Sequence, residues 1–246
     1  MPYPVALITG AAHRLGAHTA ETLHARGWNV VIHYRGREQQ ARALADKLNQ
    51  QRPASAVCYH ADLADMSQLR QLAEQACAHW GQLDALVNNA SVFYPNPTED
   101  ASEQDWDTIL GANLKAPFFL LQQCLPALKA ASGSVINMID IYSEKPLKDH
   151  PLYCASKAGL AALTRSWARD LAPDVRVNGV SPGAILWPEG DSAVDEAHQK
   201  AILDKTPLAR TGNPAAVAGA IAYLVCDAPF VTGQILSVDG GRSLNM

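Results

Sequence analysis

An α/β architecture follows from one feature of the sequence: short apolar, β-branched runs alternate with longer segments of helical period. Strands that alternate with helices build βαβ units, and βαβ units build a parallel sheet. Runs such as VALI at Val5–Ile8 are apolar throughout, which suits strands covered on both faces. Right-handed crossovers then make a doubly wound sheet, with helices on both faces, the economical topology. The strand candidates are Val5–Thr9, Asn29–His33, Ser55–His60, Ala85–Asn88, Ser134–Ile139, Arg176–Ser181 and Gln234–Val238. The helical candidates are Leu15–Arg26, Glu38–Gln50, Met66–Trp80, Gln104–Ala131, Cys154–Leu171 and Pro214–Cys226. No linker, low-complexity tract or solenoid-period repeat divides the chain, so residues 1–246 are expected to form one domain. Ala184–Arg210 breaks the alternation. It carries Trp187, Pro188 and Gly190 and reads as a long functional loop.

Composition narrows the function. Apolar residues are 48% and charged residues 18%, which excludes a disordered chain. A chain this long buries roughly 70–75% of its unfolded surface and needs no disulfide or metal for stability. The net charge of −4 argues against a nucleic-acid partner, which needs clustered cations. No apolar run reaches the ~18 residues that span a bilayer, so no membrane partner is expected. The start, MPYPVALITG, has no basic region of the signal-peptide kind. Cys58, Cys77, Cys124, Cys154 and Cys226 are odd in number and scattered, with no zinc-ligand spacing. They read as reduced thiols of a cytoplasmic protein without a metal.

The first strand ends in T-G-A-A-H-R-L-G, Thr9–Gly16, and a helix follows. Gly10 permits the tight turn and Gly16 close packing of helix on strand. The helix N-terminus offers N–H groups and positive dipole to a pyrophosphate. Arg14, where many relatives of this motif have a middle glycine, adds a cation. After the second strand, His33-Tyr34-Arg35-Gly36-Arg37 lacks the acid that binds the ribose 2′-hydroxyl of NAD. Its two guanidinium groups suit a 2′-phosphate, so the expected cofactor is NADPH. Asp62-Leu63 follows the third strand. Asp62 either accepts from the adenine amino group or caps the helix near Met66. Asn88-Asn89-Ala90-Ser91 closes the fourth strand with small and amide residues, which let the backbone approach a ribose.

Tyr153 and Lys157 stand four apart in Y-C-A-S-K and so share a helix face. A neighbouring ammonium favours phenolate and lowers a tyrosine pKa. That pair suits proton delivery during hydride transfer from a nicotinamide. Asp140 ends the strand V-I-N-M-I-D, where doubly wound proteins bind ligands, and is in range to share a proton with Tyr153. Asn113 is a mediocre helix former inside a helical segment and is expected to hold a water next to Lys157.

Together these motifs, with Pro182-Gly183 and the V-T-G-Q…V-D-G-G of Val231–Gly241, resemble the short-chain dehydrogenase/reductase superfamily over nearly the full length. The resemblance implies a seven-stranded Rossmann-type sheet, a nicotinamide cofactor and a homotetramer. It implies cofactor contacts from Gly10, Arg14, Leu15, Gly16, His33, Tyr34, Arg35, Asp62 and Leu63. Asn89, Ala90, Ser91, Tyr153, Lys157, Pro182 and Gly183 would complete them. Asp140 stands where most members place a catalytic serine. That departure, Arg14, H-Y-R at His33–Arg35 and N-A-S-x-F-Y-P at Asn89–Pro95 resemble the pteridine reductase branch. In that branch the residue matching Phe93 stacks on the pterin, and those matching Arg14 and Ser91 contact phosphate and substrate. Those matching Asp140, Tyr153 and Lys157 handle the proton and the nicotinamide ribose. Arg242 is within range of a neighbouring subunit's site. The implied activity is reduction of a ring C=N of a pterin or folate. A ketoreductase of acyl or sugar carbonyls and a non-catalytic NADP sensor are the competing readings; Asp140 and Phe93 oppose the first, the Tyr153/Lys157 pair the second.

Overall fold

The computed structural model describes residues 3–187 and 195–246. Its seven strands are β1 (Val5–Ile8), β2 (Asn29–Tyr34), β3 (Ala56–His60), β4 (Ala85–Asn88), β5 (Ser134–Met138), β6 (Arg176–Pro182) and β7 (Ile235–Val238). They form one parallel sheet in the order β3-β2-β1-β4-β5-β6-β7. The chain winds outward from β1 to β3, then returns to start β4 on the other side of β1. The crevice beyond the ends of β1 and β4 is therefore the topological switch point.

Strand alternation builds two cores. Ala6 and Ile8 of β1 face one side, Val5 and Leu7 the other, and all four are fully buried. The first side is covered by α1 (Arg14–Ala25), α2 (Glu38–Gln51) and α8 (Pro214–Ala222), through Leu23, Leu44, Leu48 and Ile221. The second is covered by α3 (Met66–His79), α5 (Ala116–Ala130) and α6 (Pro151–Asp170), through Leu72, Leu120, Leu128 and Leu160. Each such fully buried aliphatic side chain contributes roughly 1.5–3 kcal/mol. Among the described residues no helix is long and apolar enough to cross a membrane.

Four departures from the expected elements matter for the site. The segment expected as one helix over Gln104–Ala131 is α4 (Glu103–Leu110), a π turn at Gly111–Lys115, and α5. The Ala116 N–H bonds the Gly111 carbonyl to close the π turn, and Pro117, which has no N–H to offer the carbonyl of Asn113, follows directly. Pro214–Cys226 likewise ends in a π turn, Tyr223–Asp227. α6 begins at Pro151, so Tyr153 falls in its first turn and Lys157 one turn later. The loop expected over Ala184–Arg210 contains a helix, α7 (Glu196–Asp204), capped by Asp195 accepting from the His198 N–H. Pro188 and Gly190 lie outside the described residues.

Candidate active site

The turn after β1 is built around backbone geometry. Gly10 has φ +61°, and a Cβ on Gly16 would meet the Gly10 carbonyl oxygen at 2.4 Å. No other residue fits at position 16. Arg14 has φ +52°, the left-handed conformation that a glycine adopts without strain. Its side chain donates to the carbonyls of Leu186 (3.0 Å) and Trp187 (3.1 Å), so it clamps the segment after β6 to the nucleotide turn. α1 has no side-chain cap and no acid in its first turn, which suits an anion at its N-terminus. The amide of Asn89 donates to Thr9 O (2.8 Å) and Gly10 O (3.2 Å), and Thr9 Oγ1 accepts from the N–H groups of Asn89 and Ala90. The β4 turn thus holds the β1 turn directly.

His33 was expected at the cofactor, yet both its nitrogens serve the protein. Nδ1 accepts from the Gly10 N–H (3.0 Å) and Nε2 bonds Ala61 O (3.0 Å), which fixes the tautomer with hydrogen on Nε2. Burial pushes its pKa down from 6.5 to about 4. His33 is a neutral strut joining the ends of β1, β2 and β3.

A cleft of about 970 Å³ opens over these turns. Gly10, Arg14, Leu15, Gly16, His33, Tyr34, Asp62, Leu63, Asn89, Ala90 and Ser91 line it, as expected, and so do Arg35 and Arg37. The cap of α3 is Asp65, whose Oδ1 accepts from Ser67 N–H (2.7 Å) and Gln68 N–H (3.2 Å). The capping alternative for Asp62 is thereby removed. α4 supplies a far wall that the sequence did not suggest, with Trp106, 56% exposed, on it. Pro182 and Gly183 are not on this cleft. Gly183 packs on the C-terminal V-D-G-G, where a Cβ would meet Asp239 Cα at 2.8 Å.

Tyr153, Lys157, Asp140 and Phe93 lie past the cleft; Tyr153 and Lys157 are buried, Asp140 and Phe93 half-buried. Tyr153 Oη donates to Asp140 Oδ2 at 2.8 Å, and Asp140 Oδ1 accepts from the Tyr142 N–H at 2.9 Å. Lys157, 2% exposed, donates to Met138 O at 2.9 Å and lies 5.7 Å from the Tyr153 ring centre. Burial pushes Lys157 down to about 8, with Asp140 opposing. Burial likewise raises Asp140, against the Tyr142 and Tyr153 bonds, Lys157 and Arg242. Tyr153 moves opposite to the expected direction. Burial and the Asp140 charge raise it well above the usual tyrosine range. A carboxylate in contact and a dry site outweigh an ammonium whose hydrogen is turned to a carbonyl.

The Asn113 side chain is fully engaged by the protein. Its Oδ1 accepts from Ser91 Oγ (3.1 Å) and Val92 N–H (2.8 Å). Its Nδ2 donates to Val92 O (2.9 Å) and Ser156 Oγ (3.1 Å). Every hydrogen-bonding position of the side-chain amide is taken. It clasps the loop after β4 to α6. Ser91 is thus tied to Asn113. Phe93 stacks on His150 (4.7 Å, 16°) and meets Tyr153 edge-on (4.7 Å, 79°). Arg242 Nη2 lies 3.4 Å from Tyr142 Oη of the same chain, which says nothing against a reach to a neighbouring subunit. The sequence reading missed a buried polar chain under the site. Asn88 donates to Asn137 (2.9 Å) and Asn137 to Thr164 (2.8 Å), across β4, β5 and α6. A lone amide inside the apolar run V-I-N-M was the available signal. No cluster of three or more His, Cys, Asp or Glu able to hold a metal occurs among the described residues.

Residues 10–243 match the family described as enoyl-(acyl carrier protein) reductase. Pteridine reductase 1 of Leishmania tarentolae is 35% identical, over 98% of this chain and 96% of that protein. The 3-oxoacyl-[acyl-carrier-protein] reductase FabG of Staphylococcus aureus is 34% identical, over 96% of each. Trans-4-hydroxycyclohexanecarboxylate dehydrogenase of Sinomonas cyclohexanicum is 35% identical, over 97% and 92%. Identity separates these relatives by one percentage point, so the choice of substrate falls to the side chains of the site.

Proposed function

The chain belongs to the short-chain dehydrogenase/reductase superfamily, and from that premise we propose that it is an NADPH-dependent pteridine reductase. What carries this reading is the 2.8 Å bond between Tyr153 and Asp140, with the Phe93 ring 4.7 Å from Tyr153. A carbonyl reduction also consumes one proton, on oxygen, and there a serine hydroxyl beside the tyrosine serves to hold that oxygen; here a carboxyl, Asp140, takes that place and can pass a proton to Tyr153. A ring C=N needs a proton on nitrogen, and a carboxyl–phenol pair is a proton source. A flat heterocycle also needs an aromatic wall. His150 covers one face of Phe93, so the pterin would stack on the other.

The residues present fit NADPH. The glycine turn and the N-terminus of α1 suit the pyrophosphate, Arg35 and Arg37 the 2′-phosphate, and Asp62 the adenine amino group. Lys157 and Tyr153 would hold the nicotinamide ribose. When bound, NADPH supplies the hydride for the ring carbon. The protein supplies the proton, and its path follows from counting hydrogens. A phenol has one, and Tyr153 donates it to Asp140. With Asp140 ionised, Tyr153 has nothing left to give. With Asp140 protonated, the carboxylic O–H donates to Tyr153 Oη and the tyrosine hydrogen turns to the substrate nitrogen. Tyr153 then gives up its proton, Asp140 replaces it, and solvent restores Asp140. Burial, which raises Asp140, favours this protonated state. Turnover is therefore expected to fall as pH rises past the point where Asp140 ionises. We also infer a cytoplasmic homotetramer; the exposed Leu236 on edge strand β7 and the fully exposed Phe230 support association, and sedimentation checks it.

Turnover with NADPH on biopterin, dihydrobiopterin, dihydromonapterin and dihydrofolate tests the assignment. Oxidation of NADPH by at least one of them is expected, with none by acetoacetyl thioesters. The reverse pattern makes the chain a ketoreductase.

A further inference from the structure

We propose that Arg242 is a positioning residue of the proton-delivering pair: its cation, carried on the C-terminal turn, holds negative charge on Asp140 and so limits how far up the pH scale Tyr153 delivers. The inference rests on the roles given to Asp140 and Tyr153 above.

Arg242 is 7% exposed and makes no ion pair among the described residues. Its Nε is buried without a hydrogen-bond partner, and Nη2 reaches Tyr142 Oη at 3.4 Å. A guanidinium held out of water without a bonded anion is strongly unfavourable for the fold itself. Its placement is nonetheless built. Asp239, the acid of V-D-G-G, accepts from Gly241 N–H (2.9 Å) and Ser243 N–H (2.8 Å), which shapes the turn that carries Arg242. Asp239 is thus committed to backbone. The guanidinium is left against Tyr142, whose own N–H bonds the Asp140 carboxyl at 2.9 Å. The cation and the carboxyl thus share one tyrosine, the guanidinium at its hydroxyl and the carboxyl at its backbone N–H, with Arg242 buried and Asp140 half-buried, so water screens their attraction only in part.

The groups facing Asp140 can be named from each side. Tyr142 comes from its own turn, Tyr153, Cys154 and Lys157 from α6, and Arg242 from the C-terminal turn. Two are cations. Lys157 is tied to Met138 O and acts on the cofactor side; a guanidinium keeps its charge throughout the working range. Both favour ionised Asp140, which leaves the Tyr153 hydrogen committed. Removing Arg242 should therefore extend turnover to higher pH, an outcome that loss of packing alone does not produce.

The test uses the full chain labelled with [13Cγ]aspartate. The Asp140 signal is identified by its absence in Asp140→Asn and titrated in the wild type, Arg242→Gln and Arg242→Lys. The pH profile of kcat for dihydrobiopterin is measured alongside. In R242Q the signal and the high-pH limb should both move up by on the order of one pH unit, while R242K stays near the wild type. Arg242→Met, which fills the same space without charge, takes the place of R242Q if that variant does not fold. A signal that titrates in folded R242Q or R242M where it does in the wild type overturns the proposal. If the signal moves but no pterin is reduced, the pterin reading fails and the electrostatic role of Arg242 stands.

Discussion

The two halves of the crevice solve opposite problems. The nucleotide half is an open cleft of about 970 Å³, lined by backbone turns and exposed guanidinium groups. The reactive half is dry: Tyr153 is 5% exposed and Lys157 2%. In the open half guanidinium groups and backbone N–H groups bind by complementarity. In the dry half burial dominates, and it moves Tyr153 and Asp140 up and Lys157 down. A cofactor can thus be held by groups whose charge does not vary, while the proton is handled by groups whose charge can.

The sharpest way to break this contrast is in the dry half. Tyr153→Phe removes one hydroxyl, and general-acid catalysis of about 10²–10⁴-fold should vanish from kcat. NADPH affinity, read by fluorescence titration, should fall far less, by the one ribose bond that Tyr153 would make, about 0.5–1.5 kcal/mol. Equal losses in both would mean that Tyr153 belongs to the binding half. Next comes His33, a dry group inside the open half. Its folded pKa, about 4, lies below the unfolded 6.5, so the unfolded chain binds the extra proton. Its contribution is complete above pH 6.5 and lost as pH falls to about 4, a change of about 3 kcal/mol. His33→Gln, which can bond both neighbours without titrating, should flatten that part of the urea-stability curve; two curves falling in parallel would acquit His33. The smallest effect is expected in the open half. Replacing Arg35 and Arg37 with Gln should weaken NADPH by about 1.5–3 kcal/mol per lost phosphate bond, about 10- to 150-fold, and leave NADH nearly unchanged. An equal loss for both cofactors would remove the 2′-phosphate from this end of the cleft.

The same contrast explains what could be read from the sequence. Sheet, switch point and nucleotide turn depend on local patterns such as VALI and the spacing of Gly10 and Gly16, and these were legible. Tyr153, Lys157 and Asp140 were legible as a group, and the structure brings them together. The direction in which Tyr153 shifts was not, because it depends on how much water the folded site keeps. α7 escaped because none of its residues is buried, so it has no apolar face to give a period. The π turn escaped because one extra residue per turn leaves composition unchanged, though Pro117 marks the place. That His33 also ties the strand ends together was not legible, because its bonds to Gly10 and Ala61 join residues 23 and 28 positions away.

Asn113 gives the molecule a mechanical property. Its amide grips the strand-end segment of Ser91 and Val92 with one edge and Ser156, three residues after Tyr153, with the other. The aromatic wall and the proton donor are therefore fastened to a single peg. Side chains along that wall can be exchanged for others, and the pocket reshaped for a new ring, without altering the distance over which the proton must travel.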